Sequence, residues 1–211
     1  HMENTANIIH LRGNLAELPT FSHENHGRTF YTFPLEVPRL SGASDILPVI
    51  APWDTLGHMD VFGGQRLEIT GQVRSFNSRS ETGRKLIISV YGETVTTTDL
   101  EPTNQVQLTG VVCKAPIYRR TPLGREICDV MLAVNRPYRR TDYLPCILWG
   151  KTAHAMADLD VGATILLEGR LQSRNYIKVI DGESIQRTAY EVSAMSASVV
   201  LHEKEDENLE E

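Results

Sequence analysis

Apolar and polar positions alternate with a period of two over most of the chain. Cys128, Val130, Leu132 and Val134 fall on one side of a run whose other side carries Asp129 and, at its end, Asn135. Tyr31, Phe33, Leu35 and Val37 hold the same phase earlier. Successive side chains of a strand point to opposite faces, so such runs predict strands with one buried face. LPCILWG (144–150) is a short apolar run of strand length. KTAHAMADLD (151–160) departs from the period, with Ala153, Met156, Ala157 and Leu159 near helical spacing. A further strand beginning near Ile165 contains GRLQSRNY, the Asp181-Gly182 pair predicts a hairpin turn, and AYEVSAMSASVV supplies the last strand.

The pattern occurs twice. NIIHLRGNLAELPTF from Asn7 lies over NQVQLTGVVCKAPIY from Asn104 at an offset of 97. Leu11 then meets Leu108, Gly13 meets Gly110, Pro19 meets Pro116 and Arg39 meets Arg136. Asp45, Leu47 and Pro48 meet Asp142, Leu144 and Pro145. At an offset of 98, Gly71 meets Gly169 and Ser75 meets Ser173. Shared glycines and prolines mark shared backbone geometry. Five strands with a short helix between the third and fourth is the pattern of an OB-fold barrel. The chain therefore predicts an all-β protein of two tandem five-stranded OB barrels, at 5–98 and 104–201. They are joined by TTDLEPT (97–103) and followed by an acidic, disordered tail at 202–211.

With 211 residues and 41% apolar positions, the chain can build one large or two small cores. Met2 reads as the native start, so His1 is set aside. No run has the length of a membrane span and no signal-peptide pattern opens the chain, which predicts a cytoplasmic protein. Cys113, Cys128 and Cys146 are odd in number and without CxxC spacing, which predicts free thiols in a reducing compartment. The net charge of -6 argues against a nucleic-acid partner until it is divided along the chain. Residues 104–200 carry 12 Lys and Arg against 9 Asp and Glu, so the acidity lies in the first half and the tail. A local basic excess is the relevant footprint for binding a polyanion.

No catalytic constellation stands out. There is no GxSxG, paired-carboxylate motif or phosphate-cradling glycine loop. His23 and His26 form an HxxH with no supporting Cys or Glu motif, which fits a solvated turn better than a metal site. The sequence predicts neither an enzyme nor a cofactor. The stronger signal is aromatics interleaved with cations in the second copy: Arg136, Tyr138, Arg139, Arg140, Tyr143, Trp149 and Lys151. Tyr143 and Trp149 are six apart and share a strand face, opposite Cys146 and Leu148. Arg170, Arg174 and Tyr176 share a face of the next strand. Exposed rings stack unpaired bases while cations track phosphates. Each residue also has a structural use: Trp149 in the core, Tyr138 as a loop anchor, and Arg170 or Arg174 paired with Glu168, Glu183 or Glu191.

NRPYRRTDYLPCILWGKTAHAMADLDVGATILLEGRLQSRNY resembles the bacterial single-stranded DNA-binding family. The resemblance implies OB folds that bind single-stranded DNA without strong sequence preference. It places Tyr138, Tyr143, Trp149 and Tyr176 at base-stacking positions, and it implies a homodimer presenting four OB folds, with replication or repair proteins as further partners. Two departures are visible. The tail ends NLEE, without the family's apolar tip. The first copy has Ile46 for Tyr143 and Ser78 for Tyr176, while keeping Arg39, Trp53, Arg74 and Phe76 as candidates. Trp53 is one residue out of register with Trp149. NQVQLTGVVCKAPIYRRTPLGREICDVMLAV also resembles the primosomal replication protein N family. That resemblance implies an alternative role, an adaptor that binds replication proteins as well as single strands.

Overall fold

The computed structural model describes residues 7–57, 59–80 and 83–201, with the side chains of Ser80 and Arg139 outside the description. The acidic tail expected at 202–211 lies outside the described residues. The first half contains β1 (Asn7–Leu15), β2 (Thr20–Asn25), β3 (Arg28–Pro38), β4 (Ser44–Pro52), α1 (Trp53–Leu56), β5 (Arg66–Ser80) and β6 (Gly83–Thr97). The second repeats the order as β7 (Thr103–Val112), β8 (Ile117–Arg120), β9 (Glu126–Asn135), β10 (Thr141–Trp149), α2 (Gly150–Met156), β11 (Thr164–Ile180) and β12 (Glu183–Val199).

Five strands of each half close a barrel. β1 pairs with β5, β5 with β6, β6 runs parallel to β4, β4 pairs with β3, and β3 returns to β1. β7, β11, β12, β10 and β9 close the same circuit. This is the expected OB topology. Each half adds a sixth short strand, β2 or β8, hairpinned to the barrel. Neither carries a hydropathic period, because every residue in them is exposed. The alternating sets fill the barrels: Leu11, Phe33, Leu35 and Leu47 in the first, Leu108, Leu132, Leu144 and Leu171 in the second. Cys128 and Cys146 are buried free thiols. The helix predicted over 151–160 ends at Met156, where a tight turn closed by Leu159 N–H on the Met156 carbonyl leads toward β11. Asp181 and Gly182 both take positive φ, as a type I′ hairpin requires.

The barrels join edge to edge. β1 and β7 pair antiparallel from Asn7↔Leu108 to Arg12↔Thr103. Ile9 faces Val106, its own counterpart in the repeat, so a pseudo-twofold axis passes through that pair. The two sheets thus become one sheet of twelve strands.

Gly71 and Gly169 occupy matching bulges, after Thr70 and Glu168. A Cβ on Gly71 would run into the Tyr91 carbonyl oxygen, and one on Gly169 into the Ser193 carbonyl oxygen. Only a hydrogen allows the long hairpins to close there. Gly169→Ala must push β11 from β12, and such overpacking costs about 1–3 kcal/mol. A urea melt is expected to show that loss, and an unchanged midpoint would contradict the contact.

Candidate nucleic-acid interface

β10 divides its side chains as its alternation predicts. Leu144, Cys146 and Leu148 enter the core, and Tyr143, Pro145, Ile147 and Trp149 point the other way. Trp149 is half-buried, and its indole N–H donates to Ser193 Oγ at 2.9 Å, which fixes the ring. The Arg125 guanidinium lies 4.6 Å from the centre of that ring. On β11, Arg170, Gln172, Arg174, Tyr176 and Lys178 share one face by alternation. Arg174 Nε donates to Glu191 Oε1 at 3.3 Å, and its guanidinium carbon stands 5.6 Å from the Tyr176 ring centre. Arg170 donates to Gln172 Oε1 at 3.4 Å. Glu191 is therefore the carboxylate that takes up Arg174.

These strands border an open groove of about 760 Å³. Trp149 stands in it among Arg39, Arg119, Arg125, Arg170 and Arg174, with Glu168 and Glu191 as its carboxylates. A smaller hollow of about 280 Å³ shares Arg119, Arg174 and Glu191 with the groove and extends it toward Pro145. Arg119 and Arg125 were not among the sequence candidates. They come from the β8–β9 hairpin, where Arg119 pairs with Asp129 at 3.0 Å. The run RRTPLGR immediately before a strand was the available signal.

The other predicted residues take different places. Tyr138 is 95% exposed in the turn Pro137–Arg139, with φ of 65°, and Arg140 is exposed beside it. The side chain of Arg139 lies outside the described residues. Tyr143 is exposed, and its backbone N–H donates to Ser75 Oγ of the other barrel at 2.8 Å. Lys151 is exposed in the first turn of α2. In the first barrel, Trp53 opens α1 rather than ending a strand, which accounts for its offset register. Its ring lies 4.8 Å from Tyr31 and is half-exposed. Phe76 is exposed on β5. Arg74 lies over the Tyr91 ring at 4.1 Å, and burial together with the nearby Arg136 cation pulls its pKa down.

Arg39 has a structural partner. It binds Asp45 through two bonds of 2.9 and 2.6 Å and donates to the Ser173 carbonyl of the other barrel at 3.0 Å. Asp45 Oδ1 accepts the Ser173 N–H and hydroxyl at 2.9 and 3.0 Å. The reciprocal set is present: Arg136 binds Asp142 at 2.9 and 3.0 Å, and Asp142 Oδ1 accepts the Ser75 N–H at 2.8 Å. Burial pushes the Asp45 carboxyl up, but the bonds from Arg39 and Ser173 outweigh it and hold the group below its ordinary pKa. Arg39 thus reaches the edge of the groove as part of the joint between barrels.

The model of the single-strand binding protein family matches residues 103–200, the whole second barrel. Single-stranded DNA-binding protein B of Bacillus subtilis is 39% identical over 80 residues, 35% of this chain and 71% of that protein. The chain belongs to the single-strand binding protein family. Single-stranded DNA-binding protein 3 of Listeria innocua is 38% identical over 80 residues, which cover 35% of this family member and 50% of that protein. The chain thus spans about half the length of the first curated relatives it matches. The crystal structure of the wild-type single-stranded DNA binding protein from Thermus aquaticus superposes with a TM-score of 0.78 at 21% identity, covering 95% of each chain. That likeness establishes the two-barrel fold of this family member. The names of the family and of these relatives describe binding and no reaction. Among the described residues, no helix is long and apolar enough to cross a membrane.

Proposed function

We propose that the protein binds single-stranded DNA without reading its sequence and shields it during replication, recombination or repair in the bacterial cytoplasm. The observation that carries this reading is the groove of the second barrel, where five arginines surround a half-buried tryptophan on an open surface. Trp149, Tyr143, Tyr138 and Tyr176 offer ring faces to bases, and Arg119, Arg125, Arg140, Lys151, Arg170 and Arg174 offer charge to phosphates. A groove of this kind discriminates by access: unpaired bases can reach a ring, and a duplex keeps its bases stacked inside. In the first barrel, Trp53 and Phe76 remain available, while Arg39 is also bonded into the joint and Arg74 is held over the Tyr91 ring of its own barrel. A homodimer presenting four OB folds belongs to the same proposal, with an expected solution mass twice the 23.6 kDa of one chain.

The test is a fluorescence titration with oligo-dT over a range of salt concentrations. Binding is expected to quench tryptophan emission. Its logarithm should fall linearly with that of salt, with a slope of about -0.7 for each phosphate neutralised on a single strand. Four arginines of the second barrel engaged in the groove would give a slope of about -3. Equal affinity for duplex and single strand would sink the proposal. RNA and DNA oligomers in competition show which sugar the groove prefers.

A further inference from the structure

Each barrel sets its extra hairpin against its helix, and the two halves make that contact with different chemistry. In the first, three rings form a chain. Phe21 meets Tyr31 edge-on, 6.0 Å between centres, and Tyr31 lies 4.8 Å from Trp53 of α1. In the second, Tyr118 stands at the repeat position of Phe21 and Glu126 at that of Thr29, and the contact is polar. The Tyr118 hydroxyl donates to Glu126 Oε2, and His154 Nδ1 of α2 lies 3.1 Å from the same oxygen. The Tyr118 and His154 rings meet edge to face, 6.4 Å between centres.

This hairpin carries cations to the groove. Arg119 and Arg125 line it, and Arg125 lies over the Trp149 ring. Arg125 and Ile127 face the groove, and Glu126 between them turns away to His154 of α2. A carboxylate swung to the groove side would cancel charge meant for phosphates. All four residues of β8 are exposed, so no core side chain of its own anchors that strand.

We propose that Tyr118, Glu126 and His154 form a latch that seats the β8–β9 hairpin on α2. His154 is a positioning residue for the groove, acting through Glu126 on Arg119 and Arg125. The latch holds Arg125 over Trp149 and keeps the Glu126 carboxylate off the phosphate path. It tightens on protonation, because an imidazolium makes the same bond with a charge behind it. Histidine takes up its proton between about pH 8 and 5. The bond from Tyr118, with that from His154, holds the Glu126 carboxyl below its ordinary pKa, so it stays charged over that range. The groups facing His154 are Tyr118 and Arg120 of β8 and Glu126 of β9, with Lys151 one turn earlier on α2 and Asp158 in the turn after it. Glu126 is the one in contact and sets the sign. The effect on binding rests on the single-strand reading proposed above.

The chain has two tryptophans, so every protein in the experiment carries Trp53→Phe and its emission reports Trp149 alone. The natural latch is compared with His154→Ala, Glu126→Gln and the two combined. Without DNA, His154→Ala is expected to increase acrylamide quenching of Trp149, because Arg125 covers the ring less. With oligo-dT at pH 6, its affinity should fall by up to about fivefold, the range of an exposed ion pair. The deficit should shrink as pH rises to 8, where the natural latch loses its charge. In the Glu126→Gln background, His154→Ala should cost nothing further at either pH. A loss that persists in that background overturns the latch, since His154 would then act on DNA as a bare cation. Unchanged acrylamide quenching in His154→Ala overturns it too. If quenching responds as expected but the natural latch binds no oligo-dT, the hold on the groove stands and the single-strand reading falls, a distinct result.

Discussion

Asp142→Ala is expected to destabilise the folded protein by roughly 3–5 kcal/mol, the usual loss when one partner of a buried ion pair is removed. Asp142 is 0% exposed and Asp45 1%. Each carboxylate takes two bonds from an arginine of its own barrel and an N–H from a serine of the other. Without Asp142, the Arg136 cation is left near Arg74, whose pKa burial and Arg136 already depress, and the Ser75 N–H loses its acceptor. Asp142→Asn keeps an acceptor without the charge, so its loss should be smaller. Because each clamp crosses the joint, Asp142→Ala should also split a single urea transition into two. A loss below about 1 kcal/mol, within the range of exposed pairs, would show that the clamp is not holding the barrels. The Asp45 clamp adds a test of sign. A carboxyl held below its ordinary pKa contributes stability that is fully present above the ordinary value, about 3.9, and is lost as pH falls through the lower folded value. The stability difference between the natural protein and Asp45→Asn should therefore be constant near neutrality and shrink in acid below about pH 4.

The same residues show what the sequence displayed and what it withheld. Arg39 with Arg136, Asp45 with Asp142 and Ser75 with Ser173 were legible as repeated positions. Their purpose was not legible, because it depends on how two barrels face each other, and no periodicity within one barrel records that. Arg39, a candidate for nucleic-acid binding in the sequence, lines the groove and is also bonded across the joint for this reason. Strand faces were legible wherever one side is buried: Tyr143 and Trp149 do oppose Cys146 and Leu148. β2 and β8 have no buried side, so the hairpin that carries Arg119 and Arg125 to the groove left no hydropathic trace. The shared face of Arg170, Arg174 and Tyr176 was visible from alternation alone. That it lines a groove at one end and a two-barrel cleft at the other required the fold.

Trp149→Ala should weaken oligo-dT binding about 5- to 150-fold, the range for losing a stacked base worth ~1–3 kcal/mol. The ring is the aromatic surface held inside the arginine-lined groove, and its place is fixed by the bond to Ser193. Its removal also frees Arg125 from the ring it covers, so the loss has a stacking part and a positional part. Trp149→Phe separates them: it keeps an aromatic plane at the end of β10 and gives up the indole N–H to Ser193. The expected order of affinity is natural protein, then Phe, then Ala, with nearly equal salt slopes, since no phosphate contact is removed. Tyr138→Ala, at a ring 95% exposed in its turn, should follow the same rule with a smaller loss, because an unheld ring surrenders more motion when a base stacks on it. If Trp149→Ala lowered the salt slope by as much as Arg170→Ala and Arg174→Ala do, the tryptophan would be acting by placing Arg125 and not by stacking. If it bound as the natural protein does at every length, the strand would lie elsewhere than in this groove.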